Sequence, residues 1–150
     1  MRFVIQRVSE AFVKINNTVY AEVGQGYVVL VGVEETDTLD DAEWLCQKLI
    51  SLRIFSDESN KMNLSLKEIN GDILLISQFT LFASTKKGNR PSFIKSAKPE
   101  LAIPLYEHCI ALLTQLLGKP IKTGQFGADM KVSLVNDGPV TIIMDSKNRE

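Results

Sequence analysis

The amino-acid sequence predicts an α/β fold: a single compact domain with β-rich mixed sheets and two main helices packed on one side. The chain has 150 residues, enough for one domain that buries about two-thirds of its unfolded surface. Apolar runs of strand length recur along it, and two further stretches have the periodicity or the end signals of helices. No repeat, linker or low-complexity segment divides residues 1–150, so we expect one domain.

The N-terminal part of the chain predicts four strands. Residues typical of strands dominate 2–8, 12–15 and 18–23, and the turn pair Asn16-Asn17 precedes the third of these segments. The next segment, 27–33, is an almost unbroken apolar run. Such a run is typical of a central strand that is buried on both faces.

A helix is predicted at residues 39–53, where apolar residues recur at three- and four-residue steps, namely Ala42, Leu45, Leu49 and Leu52. Thr38 is the candidate N-cap of this helix. Asp40 and Asp41 suit the positive end of its dipole. In the turn-rich segment that follows, Asn60 is suited to a left-handed backbone conformation.

The remainder of the chain predicts a second buried strand, a polar loop, a second helix and two final strands. In order, these elements occupy residues 73–81, 84–97, Pro99 or Pro104 to Leu117, 130–135 and 140–144. Gly118 is the expected stop of the helix, and residues 136–139 connect the last two strands.

Composition limits the classes of protein to which the chain can belong. The net charge is −1, with 45% hydrophobic and 23% charged residues, which is ordinary for a globular protein. No apolar run approaches the ~18–20 residues needed to span a bilayer. Gln6 and Arg7 interrupt the apolar start of the chain, so a secretory signal is not expected. We therefore expect a cytoplasmic protein that has no contact with membranes.

The side chains used most often in catalysis are scarce. The only histidine, His108, falls within the second predicted helix, where a surface or core position is expected. Cys46 and Cys109 lie in separate helical patterns and are interpreted as core thiols. One histidine and two cysteines cannot supply a Ser-His-Asp site, a Cys-His site or a histidine-rich metal site. We expect neither a metal nor a cofactor, so an enzyme built on this chain would use hydroxyls, backbone amides and groups of its substrate.

The candidate hydroxyls lie at the end of the strand predicted at 73–81. Ser77 and Thr80 differ in parity, so on a regular strand they point to opposite faces. Thr80 would need a neighbouring base to act as a nucleophile, and the sequence shows none. Backbone amides that become free where the strand ends, at 78–81, could instead form an oxyanion hole.

A basic segment, residues 86–98, which we call the basic loop, follows this strand. No acidic residue lies between Asp72 and Glu100, and five cations occupy the second half of that interval: Lys86, Lys87, Arg90, Lys95 and Lys98. A solvated loop and a phosphate-binding patch are both consistent with this pattern.

The dipeptide Gly138-Pro139 is the second unusual motif. An X-Pro bond adopts the cis isomer at a cost of about 0.5–1 kcal/mol, and a glycine before proline escapes most steric restriction. Asn136-Asp137-Gly138-Pro139 is also rich in turn-forming residues, so a simple hairpin turn is the alternative.

Taken together, these motifs resemble those of the D-aminoacyl-tRNA deacylase family along nearly the whole chain. The matching segments are Gln6-Arg7-Val8, Leu52-Arg53-Ile54-Phe55, Lys61-Met62-Asn63, Ser77-Gln78-Phe79-Thr80-Leu81, Lys87-Gly88-Asn89-Arg90-Pro91-Ser92-Phe93, Thr123-Gly124-Gln125-Phe126-Gly127-Ala128-Asp129-Met130 and Asn136-Asp137-Gly138-Pro139-Val140-Thr141. Asn60 departs from the family, which usually has glycine there, but asparagine tolerates the same backbone region.

The resemblance implies a homodimeric hydrolase that cleaves the ester of D-aminoacyl-tRNA, or of glycyl-tRNA, with help from the 2′-hydroxyl of the substrate. It implies a chirality filter at Gly138 and Pro139, inserted from one subunit into the site of the other and braced by Arg7. Ser77, Gln78, Phe79 and Thr80 would line the site beside the ester. Phe126 and Met130 would contact the terminal adenine, a role to which their soft apolar surfaces are suited. Lys86, Lys87 and Arg90 are the candidate tRNA contacts.

Two alternatives from other classes remain open at the level of sequence. The chain could be a non-catalytic module that binds an RNA end or a protein, with the basic loop providing the contact. It could also be an acyl hydrolase that uses Thr80 as a covalent nucleophile.

Overall fold

A computed structural model describes residues 1–149, in which one long strand organises the sheet. Strand β1, Arg2–Ile15, pairs antiparallel with three neighbours. They are β2 (Thr18–Val23), β3 (Gly26–Gly32) and β8 (Met130–Asp145). Strand β6, Asp72–Ser77, continues the sheet parallel to β3.

The strand order in this six-stranded sheet is β2-β1-β3-β6-β7, and β8 lies along β1 outside that path. Strand β7, Lys122–Thr123, is parallel to β6. A separate two-stranded ribbon is formed by β4, Phe55–Ser56, and β5, Met62–Leu64. The large sheet curls into a nearly closed barrel, which confirms the predicted mixed β-rich architecture.

Two helices complete the fold. Helix α1 spans Leu39–Ser51 and α2 spans Pro99–Leu117. The predicted N-cap is confirmed, because the Asp41 carboxylate accepts hydrogen bonds from the backbone N–H and the hydroxyl of Thr38 at 2.8 and 3.2 Å. Gly118 ends α2 in the left-handed conformation, with φ of 80°. Within residues 1–149, no helix is long and apolar enough to cross a membrane.

The sheet separates two hydrophobic clusters. The larger lies between the sheet and the helices and includes Phe3, Tyr27 and Leu75 from strands and Leu45 and Leu113 from helices. The smaller fills the inside of the curled sheet, where the buried residues are Val8, Ala11, Val13, Val23, Val28, Leu74 and Ile76. Because successive strand residues point to opposite faces, β3 and β6 contribute to both clusters. This explains why their sequences are almost wholly apolar, as the sequence analysis expected.

The prediction of separate strands at 2–8 and 12–15 was wrong, because β1 continues through the exposed Ser9 and Glu10. The prediction of two final strands was wrong in the same way, because β8 is continuous from Met130 to Asp145. The two strands differ in length where they pair: the two residue steps from Gln6 to Val8 on β1 face the five steps from Asn136 to Thr141 on β8. The extra length, residues 137–140, forms a bulge that has no partner in the register, so the Gly-Pro segment lies within one continuous strand and does not join two strands as a hairpin turn.

Candidate active site

Strand β6 ends at Ser77, four residues earlier than predicted. The Gln78 N–H donates to the carbonyl oxygen of Val31 at 2.7 Å, and the chain then turns into a short 3₁₀ helix, Phe79–Phe82. A sequence rich in Phe, Thr and Leu favours a strand, so the apolar run concealed this turn. The turn places Ser77 to Thr80 at the open end of the barrel.

A cavity of about 580 Å³ opens beside this turn. Five of the predicted site residues line it: Ser77, Gln78, Phe79, Phe126 and Met130. The structure therefore brings together residues from β6 and residues that begin β8. Thr80 is half-buried and is not part of the cavity wall.

The polar groups at the cavity are held by hydrogen bonds and form no nucleophile–base pair in the described part of the chain. The Gln78 side-chain amide donates to the Thr80 hydroxyl. The Ser96 hydroxyl donates to the carbonyl oxygen of Phe79 at 2.8 Å and so fixes the first turn of the 3₁₀ helix. An amide cannot accept a proton from threonine as a general base, so this arrangement positions Thr80 without activating it.

Aromatic side chains form much of the wall. Phe79 is 58% exposed and meets Phe93 edge to face, with 5.1 Å between the ring centroids. Deeper in, the rings of Phe126 and Tyr106 lie 6.0 Å apart. The sulfur of Met130 occupies the space beside Gly124, where a Cβ would lie only 2.4 Å from it. Flat apolar walls of this kind suit a planar base.

Tyr106 and Ser96 also line the cavity, and neither was predicted to be a site residue. Lys98, one of the five cations of the candidate phosphate-binding patch, lines it as well. The Tyr106 hydroxyl donates to the carbonyl oxygen of Leu75 at 2.8 Å, and burial raises the pKa of this phenol well above its ordinary value. Tyr106 stays protonated and acts as a fixed wall. Its position within an apolar helix gave no signal of a site, because core packing explains the same pattern.

The remaining residues with reactive groups lie elsewhere. Cys46 and Cys109 are buried between the helices, as predicted, and the sulfur of Cys46 approaches the carbonyl oxygen of Cys109 at 4.0 Å. The hydrogen bond with Cys109 and burial together raise the pKa of the Cys46 thiol. His108 lies 3.7 Å from a carboxylate oxygen of Glu43 and does not line the cavity.

Gly138 and Pro139 are exposed, their peptide bond is cis, and neither residue lines the cavity. They lie opposite Arg7 in the β1–β8 pairing. Arg7 pairs with Tyr27 on β3, four residues before Val31 at the cavity. At 3.3 Å per residue, this is a separation of about 13 Å along the strand.

Arg7 is buried and ties the Gly-Pro segment to the core. Its Nε donates to the carbonyl oxygen of Asp137 at 3.0 Å, and its Nη1 donates to the carbonyl oxygen of Ile54 at 2.5 Å. Gly138 has φ of 130°, and a Cβ on it would lie 3.0 Å from Arg7 Nη2 and 2.8 Å from a methyl carbon of Val140. The segment is thus rigid and has no space for a side chain at Gly138.

The basic loop lies next to the cavity, and its cations occupy different positions. Lys98 lines the cavity, whereas Lys86 and Lys95 line a neighbouring groove. Lys87 and Arg90 are exposed and belong to neither. Ser84 and Ser92 exchange backbone hydrogen bonds of 2.8 and 2.9 Å, which close the base of the loop.

Comparison with known proteins identifies the same family along the chain. The family model described as D-Tyr-tRNA(Tyr) deacylase matches residues 4–145. The D-aminoacyl-tRNA deacylases of Flavobacterium psychrophilum and Bacteroides thetaiotaomicron are 59% and 60% identical over 150 residues, and the alignments cover 100% of each chain. The protein of the same name from Cytophaga hutchinsonii is 61% identical over 147 residues, which is 98% of both chains.

Two solved structures have the same fold. One, described as a c-Myc DNA Unwinding Element Binding Protein, has a TM-score of 0.91 and 37% identity, over 97% of this chain and 98% of the other. A probable eukaryotic D-amino acid tRNA deacylase has a TM-score of 0.82 and 18% identity, over 95% and 97% of the two chains. The fold and the sequence matches together define an enzyme of the hydrolase class, a deacylase. The chain belongs to the D-Tyr-tRNA(Tyr) deacylase family.

Proposed function

We propose that this deacylase hydrolyses the ester between a D-amino acid and the terminal ribose of tRNA, and also the ester of glycine mischarged on tRNA(Ala). The products are the free amino acid and tRNA, and L-aminoacyl-tRNA is rejected. The compartment that this proposal requires is the cytoplasm, where aminoacyl-tRNA is made and used.

A backbone amide at the start of the 3₁₀ helix is the proposed catalytic donor. The N–H groups of Gln78 and Leu81 are already bonded to the carbonyl oxygens of Val31 and Gln78, at 2.7 and 3.2 Å. The first N–H groups of a helix have no partner inside it, so the N–H of Phe79, a residue that lines the cavity, is the proposed donor to the oxyanion. One such donor is worth about 3 kcal/mol of transition-state stabilisation. The 2′-hydroxyl of the ribose supplies the remaining assistance.

The aromatic wall supports a position for the terminal adenine. Phe126 and Met130 face the cavity together with Tyr106, and stacking on such a surface is worth about 1–3 kcal/mol per base. Phe126 also packs against the larger core and Met130 against the smaller one. Binding and packing therefore share the same side chains.

The observation that carries the proposal is the separation of the Gly138-Pro139 segment from the cavity of its own chain. The segment is exposed, is braced by Arg7 and does not line the cavity. Tyr27, the partner of Arg7 on β3, lies about 13 Å along that strand from Val31 at the cavity. A rigid exposed segment of this kind can complete the cavity of a second copy. We infer a homodimer with two-fold symmetry, in which each subunit supplies the filter for the other.

The filter works through backbone atoms. Carbonyl groups of the Gly-Pro segment would accept hydrogen bonds from the substrate's α-amino group and leave no space on the side where an L side chain projects. Specificity then rests on a steric clash. Glycine has no side chain and passes the filter, and selectivity among D side chains is weak.

The test compares Gly138→Ala with Gly24→Ala. A Cβ at Gly138 meets Arg7 and Val140, whereas at Gly24 it meets nothing within 4 Å. Gly138→Ala should lower kcat/KM for D-Tyr-tRNA by about 100-fold, because displacing a positioning group by 1 Å has effects of that size. Gly24→Ala should match the parent. Release of free amino acid from D-Tyr-tRNA, L-Tyr-tRNA and Gly-tRNA(Ala) is the measurement, and an unchanged rate and chiral preference in Gly138→Ala would refute the filter.

A further inference from the structure

A second concave site adjoins the cavity and has no role in the reaction described above. It has a volume of about 410 Å³ and is lined by residues that include Arg2, Glu34, Phe82, Thr85, Lys86 and Lys95. We name it the basic groove. Arg2, Lys86 and Lys95 are positively charged, and Glu34 is the acid among these lining residues.

The groove and the cavity share a wall. Val33 lines the cavity and Glu34 the groove, and likewise Ser96 lines the cavity and Lys95 the groove. The 3₁₀ helix divides in the same way, with Phe79 at the cavity and Phe82 at the groove. Consecutive residues of the chain therefore face the two sites, so the cavity and the groove adjoin each other across the backbone of these segments.

The cations of the groove differ in their contacts within the chain. The guanidinium of Arg2 is fixed, because it donates to Asp145 at 2.8 Å and to the carbonyl oxygen of Leu81 at 2.7 Å, and it lies 4.9 Å from the ring centroid of Phe82. Lys86 and Lys95 are exposed and form no ion pair among residues 1–149. Arg2 thus forms a rigid floor, and the two lysines are available to a ligand.

We propose that the basic groove binds the phosphate that joins the terminal nucleoside of the RNA to the nucleotide before it. This inference rests on the proposed function, which places the terminal nucleoside in the adjoining cavity. A lysine ammonium is a compact charge that suits phosphate, and contacts of this kind set the register of a nucleic acid without reading its sequence. The groove would hold the RNA end so that the ester lies at the 3₁₀ helix.

The test combines two changes, singly and together: one removes the charge of the phosphate in the RNA, and the other removes the charges of the two lysines in the protein. The RNA is a hairpin with the single-stranded acceptor end of tRNA, made with either a normal phosphate or an uncharged methylphosphonate at the last linkage. The protein is the parent or the Lys86→Ala/Lys95→Ala variant. Lys48→Ala, an exposed substitution on α1, is the matched control. Fluorescence anisotropy gives Kd for each pair, and kcat/KM is measured on the matching D-aminoacyl esters.

Each change alone should raise Kd by at least about tenfold, the effect of one charged hydrogen bond, and the two together should raise it no further. Lys48→Ala should behave as the parent. Effects that multiply, or a methylphosphonate that binds normally, would overturn the assignment. Kd is measured on RNA that carries no amino acid. The binding experiment is therefore decisive even if the proposed selectivity for D-aminoacyl esters is wrong. A Phe126→Ala variant with unchanged Kd would instead refute the placement of the nucleoside.

Discussion

Thr80 shows how the site differs from one with an activated nucleophile. Its hydroxyl accepts from the Gln78 side chain and lies outside the cavity wall. In the described residues no histidine or carboxylate hydrogen-bonds to it or to Ser77. The covalent mechanism through Thr80, left open by the sequence, therefore lacks the base that it requires. The geometry favours chemistry that depends on backbone amides and on the substrate.

A first prediction follows for these hydroxyls. Ser77→Ala and Thr80→Ala should retain measurable hydrolysis of D-Tyr-tRNA, whereas a substrate that ends in 2′-deoxyadenosine should react at least about 100-fold more slowly, the usual scale of lost acid–base assistance. Single-turnover rates at saturating enzyme separate this effect from weaker binding. Normal turnover of the 2′-deoxy substrate, or a trapped acyl-enzyme on Thr80, would contradict substrate assistance.

Single residues also show where the sequence was sufficient. Asn60 has φ of 60° and Gly118 ends its helix with φ of 80°. Both were predicted, because asparagine and glycine tolerate the left-handed backbone region. The bracing contacts of Arg7 could not be derived from its neighbours in the chain, because Asp137 and Ile54 lie 130 and 47 residues away. Only the resemblance indicated that role.

At the level of elements, hydrophobic periodicity and apolar runs predicted α1 and most of the strands, since these elements bury apolar faces. End signals, proline at the start and Gly118 at the stop, predicted α2. Hydrophobic periodicity failed at β6 and β8. In β6 the apolar run continues past the strand end into the 3₁₀ helix, and period alone cannot distinguish the two. In β8 the turn-forming residues 136–139 are held in register by β1 on both sides, so long-range pairing overrides the local turn signal.

The start of α1 carries a second prediction, about stability. Burial would raise the pKa of Asp41, but hydrogen bonds from Lys147, Ser146 and Thr38 outweigh burial and hold it below its ordinary value. A lowered folded pKa means that Asp41 stabilises the fold fully above the unfolded pKa of about 3.9. This stability is lost as the pH falls through the folded pKa.

Asp41→Asn should therefore lower the free energy of unfolding at pH 7 by about 1 kcal/mol, the usual cost of a lost cap interaction. The difference from the parent should shrink as the pH falls below about 4, because Asp41 then takes up a proton in the unfolded parent but not in the folded one. Urea unfolding at a series of pH values measures this. The matched control is Asp40→Asn, an exposed acid in the same turn without an ion pair in residues 1–149. A deficit that stays constant from pH 7 to pH 3 would contradict the role of the Asp41 charge.

The basic loop carries a third prediction. Lys87 and Arg90 lie outside the cavity and the groove and are expected to contact phosphates of the tRNA body. Lys87→Ala/Arg90→Ala should weaken binding similarly for different tRNAs, and each lost contact should reduce the log–log salt dependence of binding by up to about 0.9 units. Kd measured across a range of salt concentrations gives the slope. An unchanged slope would exclude these two side chains from the interface.

At the scale of the whole molecule, the predicted site residues fall into two groups that one chain does not bring together. Ser77, Gln78, Phe79, Phe126 and Met130 meet at the open end of the barrel. Arg7, Gly138 and Pro139 meet farther along the sheet, at the bulge in β8. Sequence patterns cannot reveal this division, since they report which residues share an element and not how the folded chain places two elements relative to each other.

The division gives the last prediction, a complementation test in a tagged heterodimer. One subunit of the proposed homodimer carries Gly138→Ala, which should disrupt the proposed filter and leave its own cavity intact. The other carries Ala128→Trp, which fills the cavity where Ala128 lines it and leaves the filter intact. Each variant should be inactive as a homodimer. In the heterodimer, the intact filter of the second subunit completes the intact cavity of the first, so about half of the parent activity should return, from one of two equivalent sites.

If each site were completed within one chain, both sites of the heterodimer would be defective and it would stay inactive. Dissociation of the heterodimer should abolish the restored activity, because the two working parts then separate.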